Sequence, residues 1–295
     1  MMLPIYLSRF TRLLLPGIVI FLIWSCQTSA PDAAPADASS APRQTQQHIT
    51  APDTLVYHYL DYTKNMGDCD SLTTGCVRVE MQYPVFTEPL EDSALGILND
   101  VVQRFILATH DGAGMATGLD VFSESFFHDY QLMREDIPDY MVNWEMIRRV
   151  EILLNLPAVV SLKSMEYTFT GGAHGMSATR LASYWTDTGE KISLSDILIP
   201  NFEQELRSIG EKYFRRQREV PSDQDLDEAG FWFENNRFRL SENYALVSEG
   251  LLFLYNPYEI APYSFGTLEF VIPFHEFRHL LDPLNPLPAE LTSAL

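Results

Sequence analysis

The sequence predicts an α+β fold in which antiparallel sheets carry helices packed on one face, arranged as two sub-domains. Strands are indicated where apolar and polar residues alternate, as they do from Val77 to Tyr83. Apolar residues at helical spacing, in the segments 93–107 and 202–218, form blocks that separate the strands. The chain has 295 residues, 46% of them hydrophobic, which is enough to build the cores of two modest domains.

The first sub-domain is predicted to span residues 53–165. In its second strand Val77, Val79, Met81 and Tyr83 alternate with polar residues, which is typical of a strand with one buried face. The second of its two helices carries an apolar stripe that we assign to the core: Phe122, Phe126, Tyr130 and Met133. The predicted elements, in order, are strands at 55–62 and 77–83, helices at 93–107 and 120–134, and strands at 140–154 and 158–170.

Two cysteines of this sub-domain, Cys69 and Cys76, lie close together in a polar loop. In an oxidising compartment an even pair at this spacing predicts a disulfide. A metal site is less favoured because the loop offers only two thiols and no nearby histidine. A redox role is weaker still, because the spacing is not that of a C-x-x-C motif.

The second sub-domain is predicted over 166–285, followed by a tail at 286–295. Its organising stretch is 167–198, which predicts a strand, a glycine-rich turn, a returning strand and a helix that Ser193 or Ser195 could cap. A basic cluster on the next helix, Arg215, Arg216 and Arg218, is interpreted as a solvated face that could also receive an anionic group. The later elements are a helix at 202–218 and strands at 238–247, 250–255 and 267–273.

The first 52 residues predict a targeting signal followed by a tether. Arg9 and Arg12 precede an apolar run that is short for a membrane span, so residues 1–25 are interpreted as a signal peptide. The run ends in Leu-Ile-Trp-Ser-Cys, which resembles a bacterial lipobox and makes Cys26 the candidate lipidated residue. The alternative is an uncleaved signal anchor with an incidental cysteine. The segment 26–52 is rich in Ala, Pro and Ser and is predicted to be a disordered tether.

The charge of the chain limits its partners. The formal net charge is −20, with 40 acidic residues against 20 basic ones. This balance argues against nucleic acid as a partner, because phosphate binding needs a basic surface. It suits an extracytoplasmic protein and would steer basic partners toward the surface.

Two motifs carry a resemblance to a known family. The first is the turn Gly-Gly-Ala-His-Gly, followed by an aromatic strand and a second turn; the later motif is Tyr-x-Ile-Ala-Pro-Tyr-x-x-Gly before an apolar strand. Together they resemble the C-terminal domain of the RsiV/PdaC-type extracytoplasmic proteins, and the order of elements before them resembles the N-terminal domain of the same proteins. We interpret the motif residues as mainly structural: Gly171, Gly172, His174, Gly175, Asp187, Gly189, Tyr258, Pro262, Tyr263 and Gly266.

The resemblance implies an envelope-facing binding module. In RsiV a domain of this type senses lysozyme by binding it, whereas the deacetylase motif of PdaC lies in a separate domain that has no counterpart in this sequence. We therefore expect a non-catalytic protein without a cofactor, whose partner is a lysozyme-like basic protein or peptidoglycan. The predicted location is the periplasm, with a lipid anchor in the inner face of the outer membrane.

One motif favours an enzyme instead. Residues 275–279 read His-Glu-Phe-Arg-His, the spacing with which two histidines of one helix bind zinc while the glutamate acts as general base. The alternative function is thus a zinc-dependent hydrolase with His275 and His279 as ligands and Glu276 as base. Pro273 and Pro283 limit any helix here to about two turns, so we rank this alternative below the binding module.

Overall fold

The computed structural model describes residues 55–70, 75–88, 92–108, 114–284 and 287–292. These residues fold into two sheets that are mostly antiparallel, together with helices, so the predicted α+β class is confirmed. The described residues all belong to one compact unit. The predicted signal peptide, the candidate lipidation site Cys26 and the tether lie outside the described residues.

The first sheet has five strands in the order β1-β2-β3-β4-β5. All its neighbours pair antiparallel except β2 and β3, which are parallel. The two helices α1 and α2 lie between β2 and β3 in the chain, and parallel neighbours need such a crossover. The strands are β1 Val56–Met66, β2 Val77–Glu88, β3 Trp144–Asn155, β4 Val159–Phe169 and β5 Met176–Trp185; the helices are α1 Asp92–Leu107 and α2 Leu119–Asp136.

The two helices cover one face of this sheet. The residues Val77, Val79 and Met81 of β2 are buried beneath them, as the alternating pattern predicts. From α2, Phe126 and Tyr130 enter the same core, so the apolar stripe of this helix is core as predicted. Apolar burial of this kind supplies most of the stability of such a layer.

The second sheet has three antiparallel strands, β6 Tyr244–Val247, β7 Gly250–Tyr255 and β8 Leu268–Pro273. Its central strand is buried on both faces. On one side Leu252 and Leu254 pack with Leu181 of β5, which brings the two sheets face to face. On the other side Phe253 and Tyr255 join an aromatic core beneath α4, Glu203–Gln217. The layers therefore run helix, sheet, sheet, helix. Two short helices flank these elements in the chain: α3, Leu194–Ile197, precedes α4, and α5, Phe274–Phe277, follows β8.

The predicted strand at 238–247 is too long, because the observed strand β6 begins only at Tyr244. Ahead of it, the Asn243 side chain accepts a hydrogen bond from the Leu181 N–H and donates one to the Thr179 carbonyl, each at 2.7 Å. A side-chain amide thus occupies backbone groups of β5 that a strand would otherwise pair. This arrangement fixes segment 239–243 beside the edge of the first sheet.

Two predicted boundaries can be located in the structure. The division between residues 165 and 166 falls inside β4, and β5 beyond it still belongs to the first sheet. Within the predicted tail, the short helix α6, Ala289–Thr292, is formed, and Leu287 and Leu291 are buried in the aromatic core. No helix of the described ranges is long and apolar enough to cross a membrane.

The predicted disulfide is present and joins Cys69 to Cys76, with Cα atoms 5.2 Å apart. It closes the connection between β1 and β2, a loop with a sequence separation of 7. Restricting a loop of this length in the unfolded chain contributes about 2 kcal/mol on the chain-entropy model.

Candidate functional site

The two signature motifs meet in space and form an exposed aromatic cluster of His174, Tyr258 and Tyr263. The His174 ring stacks on the Tyr263 ring with centroids 4.2 Å apart and planes 19° apart. The Tyr258 ring lies beside Tyr263, with centroids 5.5 Å apart. The Tyr263 hydroxyl donates a hydrogen bond of 3.0 Å to the Gly175 carbonyl, which ties the later motif to the glycine turn.

The glycine turn places His174 at the surface. At its end Gly175 is buried against Tyr167 of β4, and a Cβ added there would lie 2.4 Å from the tyrosine ring. Only a residue without a side chain allows this close approach. The turn therefore folds back onto the sheet and leaves the His174 ring exposed.

The proton of His174 can be assigned from its partner. Its Nδ1 lies 2.9 Å from the Gly175 carbonyl, and a carbonyl can only accept a hydrogen bond, so Nδ1 is the donor. In the neutral ring this leaves Nε2 as an acceptor. The cluster thus offers aromatic faces together with a hydrogen-bond acceptor.

Tyr258 has an unusual backbone conformation. It is the third residue of a turn closed by a 3.1 Å hydrogen bond from the Glu259 N–H to the Asn256 carbonyl, and Pro257 is the second residue. Its φ is +68°, in the left-handed region where glycine or asparagine is usual at this turn position. A bulky residue there costs about 1 kcal/mol or more, and such strain concentrates at functional sites.

The same turn is fastened to the edge of the first sheet. The Asn256 side chain accepts a 2.7 Å hydrogen bond from the Thr179 N–H and donates a 3.0 Å bond to the Thr179 carbonyl. The Glu259 carboxylate accepts a hydrogen bond of 2.8 Å from the Asn256 N–H. Sequence reasoning missed this clamp, although the Asn-Pro dipeptide was a signal for a turn. Because the turn is clamped, the backbone that carries the exposed Tyr258 ring is held in place.

The family-motif residues fall into two groups. The glycine turn with Gly171 and Gly172 precedes β5, while Asp187 and Gly189 follow it in a turn at the opposite end. A strand of ten residues separates the two groups by about 30 Å. Near the aromatic cluster, Pro262 precedes the short 3₁₀ turn Tyr263–Phe265, and Gly266 ends it.

The geometry at residues 275–279 is not that of two histidines on one α-helix. The helix α5, Phe274–Phe277, ends between them, and a separate 3₁₀ turn, Arg278–Leu280, follows. His279 Nε2 lies 2.7 Å from a Glu205 carboxylate oxygen, and the Tyr213 hydroxyl donates to Glu276 at 2.8 Å. His275 lies in α5 with its Nε2 3.7 Å from Glu276.

The ionisation of Glu276 also differs from that of a general base. The Tyr213 hydrogen bond, with a further contribution from Lys212, lowers the pKa of this carboxyl. A general base that works near neutral pH needs a raised carboxyl pKa instead. Across the described ranges, no group of three or more His, Cys, Asp or Glu side chains is arranged to hold a metal ion.

The three arginines near the end of α4 do not converge on one site. Arg215 pairs with Glu211 at 2.8 Å and donates to the Gln224 carbonyl. The Arg216 guanidinium lies over the Tyr213 ring, 4.1 Å from its centroid. Arg218 donates a 3.1 Å hydrogen bond to the Glu269 carbonyl, so each of the three arginines has a structural partner of its own.

Two family models match the chain, in the order that the resemblance to the two-domain proteins implies. The model described as "Deacetylase PdaC" matches residues 71–177, and DUF3298, described as a protein of unknown function, matches 195–275. The predicted two-domain resemblance is confirmed. His174 and Gly175 fall in the first match and Tyr258 and Tyr263 in the second, so the cluster joins the two matched segments. Each match covers less than half of the chain, so the chain is similar to these two families over the matched segments.

Two solved structures share the fold. A DUF3298 family member from Bacteroides fragilis has a TM-score of 0.63 and 18% identity, covering 82% of this chain and 99% of its own. A DUF3298 family protein from Pseudomonas aeruginosa has a TM-score of 0.59 and 20% identity, covering 79% of this chain and 97% of its own. No curated protein matches the sequence.

Proposed function

Because the chain carries a PdaC-type segment followed by a DUF3298-type segment, we propose that it is a non-catalytic binding module of the cell envelope that holds a peptidoglycan glycan against its aromatic cluster. The observation that carries this proposal is the stacked, exposed arrangement of His174, Tyr258 and Tyr263.

The chemistry of the cluster matches that of a sugar. The apolar face of a pyranose ring packs on an aromatic face, while hydroxyl and acetamido groups need polar partners nearby. Tyr258 has an exposed fraction of 49% and is free to receive such a ring. The Nε2 of His174 and the tyrosine hydroxyls supply the polar partners. Since the clamp at Asn256 holds the backbone of the turn and the Tyr258 ring lies against Tyr263, little side-chain freedom is lost on binding.

The proposed location agrees with this partner. Acylation of Cys26 would anchor the protein in the inner face of the outer membrane, and the tether at 26–52 would let the folded unit reach the peptidoglycan layer. The proposal needs no cofactor.

A lysozyme-like basic protein is the second candidate partner, and the net charge of −20 favours it. Attraction between opposite charges accelerates association. Salt weakens this attraction, because the screening length is about 8 Å at physiological ionic strength. Packing of a sugar on aromatic rings depends little on salt. Salt dependence therefore separates the two candidates.

A retention experiment tests both. The purified full-length protein, kept in mild detergent, is mixed with insoluble peptidoglycan or with immobilised lysozyme at low and at high salt. We expect retention on peptidoglycan at both salt concentrations. Retention on lysozyme alone, lost at high salt, would reject the glycan and favour the basic protein. Retention on neither would reject both candidates.

A further inference from the structure

A basic pocket lies beside the aromatic cluster. It has a volume of about 610 Å³ and opens between the end of α1, the edge strand β5 and the segment 239–243. Its lining carries four cations and two carboxylates, a formal charge of 4 − 2 = +2 on a chain whose net charge is −20. These charged residues are Arg104, Arg180, Lys191, Arg239, Glu242 and Glu259.

The four cations are not held by close ion pairs within the described residues. Across the described ranges none of them forms a salt bridge, whereas other basic side chains there do. Arg180 donates a 2.6 Å hydrogen bond to the Phe105 carbonyl and lies over the Phe105 ring, 5.1 Å from its centroid. Arg104 donates a long bond of 3.4 Å to the Gly189 carbonyl. Neutral groups thus position these two guanidinium groups without neutralising them.

Arg180 is the cation that a counter-ion would stabilise most. It is half-buried at the edge of the sheet, whereas the other three cations are exposed. Burial, followed by repulsion from Arg148, lowers the pKa of the Arg180 guanidinium against a smaller attraction from Glu166. Both effects oppose the charged form, and a bound anion would offset them. Tyr184 also lines the pocket, and within the described part of the chain its hydroxyl makes no hydrogen bond that would compete with a ligand.

The basic pocket and the aromatic cluster share one turn. Asn256 and Glu259 line the pocket, while Tyr258 between them belongs to the cluster. A ligand that rests on the Tyr258 ring can therefore extend into the pocket. The ligand group expected there carries a single negative charge, because the two carboxylates of the lining would repel a dianion.

We propose that the basic pocket binds the free lactyl carboxylate of N-acetylmuramic acid, in glycan from which the stem peptide has been removed, while the neighbouring sugar rings pack on the aromatic cluster. This inference rests on the proposed function and deepens it by assigning the glycan's acidic group to a site. A guanidinium binds a carboxylate through two parallel hydrogen bonds, which makes Arg180 the main contact. Tyr184 and the exposed cations at the rim add to the attraction.

Two disaccharides that differ in this group provide the test. N-acetylglucosaminyl-N-acetylmuramic acid carries the lactyl carboxylate, and di-N-acetylchitobiose lacks it. By calorimetry or NMR titration with the full-length protein, we expect the acidic disaccharide to bind at least about tenfold more tightly, as a charge-assisted hydrogen bond allows. Arg180→Gln should remove this preference, Arg180→Lys should retain part of it, and Arg149→Gln, an exposed arginine of β3 outside the pocket, should leave it unchanged.

The outcomes separate this inference from the proposed function. Equal affinity of the wild-type protein for both disaccharides, or a preference that survives Arg180→Gln, would overturn the assignment. If Arg180→Gln fails to fold, the exposed Lys191→Gln replaces it and should reduce the preference several-fold. If neither disaccharide binds, the proposed function fails. The anion site in the pocket is then tested separately, by NMR titration with D-lactate alone. A saturable NMR shift at Tyr184 would then support an anion site, and no shift would overturn it.

Discussion

Replacing Glu166 with alanine should destabilise the fold by about 3 kcal/mol, because it leaves a buried charge without its counter-ion. The partner is Arg148 of β3, whose side chain is only 2% exposed. Its Nε donates to Glu166 at 2.8 Å, and its terminal NH2 nitrogen donates to the same carboxylate oxygen. The other terminal nitrogen donates to the carbonyls of Ile106 and Ala108, which fastens the end of α1 to the sheet.

Two controls make this result specific. Arg149→Ala removes the exposed arginine next to Arg148 and should change the free energy of unfolding by less than about 0.5 kcal/mol. The double variant Arg148→Met with Glu166→Leu should recover much of the loss, since apolar groups of similar volume can replace a buried pair. Denaturant unfolding measures all three. A Glu166→Ala variant as stable as Arg149→Ala would show that the pair carries no stability.

Phe214→Ala should cost about 4 kcal/mol, since it opens a cavity in the centre of the second core. Phe214 lies on α4, is 1% exposed, and touches aromatic rings from loops and strands around it. Its nearest ring centroid is that of Phe231, at 5.0 Å. The other rings in contact with it are Phe233, Phe238, Tyr255 and Phe270.

The matched control is Trp232→Ala, which removes an aromatic side chain with an exposed fraction of 51%. Its cost should be below about 1 kcal/mol, because an exposed side chain leaves no cavity. Thermal or denaturant unfolding of the two variants gives the comparison. If Phe214→Ala were no more costly than Trp232→Ala, the aromatic core beneath α4 would not be a centre of stability.

Much of the fold follows from local pattern, because one buried face imposes a period on the sequence. The alternation from Val77 to Tyr83 predicts β2, and the stripe that includes Phe126 and Tyr130 predicts the buried side of α2. The pattern does not predict the parallel pairing of β2 with β3, which depends on where the intervening helices pack. It also fails at 238–243, where the hydrogen bonds of Asn243 replace strand pairing.

The site was only partly predictable. The sequence singles out His174, Tyr258 and Tyr263 as motif residues, but it does not show that they meet. The hydrogen bond that ties the two motifs together, from Tyr263 to Gly175, joins residues that are 88 positions apart in the chain. Such a contact is set by tertiary packing and leaves no local signal. The basic pocket draws its cations from α1, β5 and two loops, so no charge run marks it. Arg180, the single charged residue of β5, was its one local sign.

Tyr258→Gly provides the sharpest test of glycan binding at the aromatic cluster, because it removes the exposed ring and places glycine where the backbone has a positive φ. Glycine adopts the observed φ of +68° without strain, so the free energy of unfolding should stay within about 1 kcal/mol of wild type. Tyr59→Ala, on the opposite edge strand β1 of the first sheet, is the matched control.

The decisive measurement is the affinity of the full-length protein for soluble peptidoglycan fragments, before and after Tyr258→Gly. Loss of an aromatic contact that anchors a ligand should weaken binding at least about tenfold, while Tyr59→Ala leaves the affinity unchanged. An unfolding curve recorded on the same samples shows whether the fold is intact. If the folded Tyr258→Gly protein bound the fragments as tightly as wild type, the aromatic cluster would not be the glycan site.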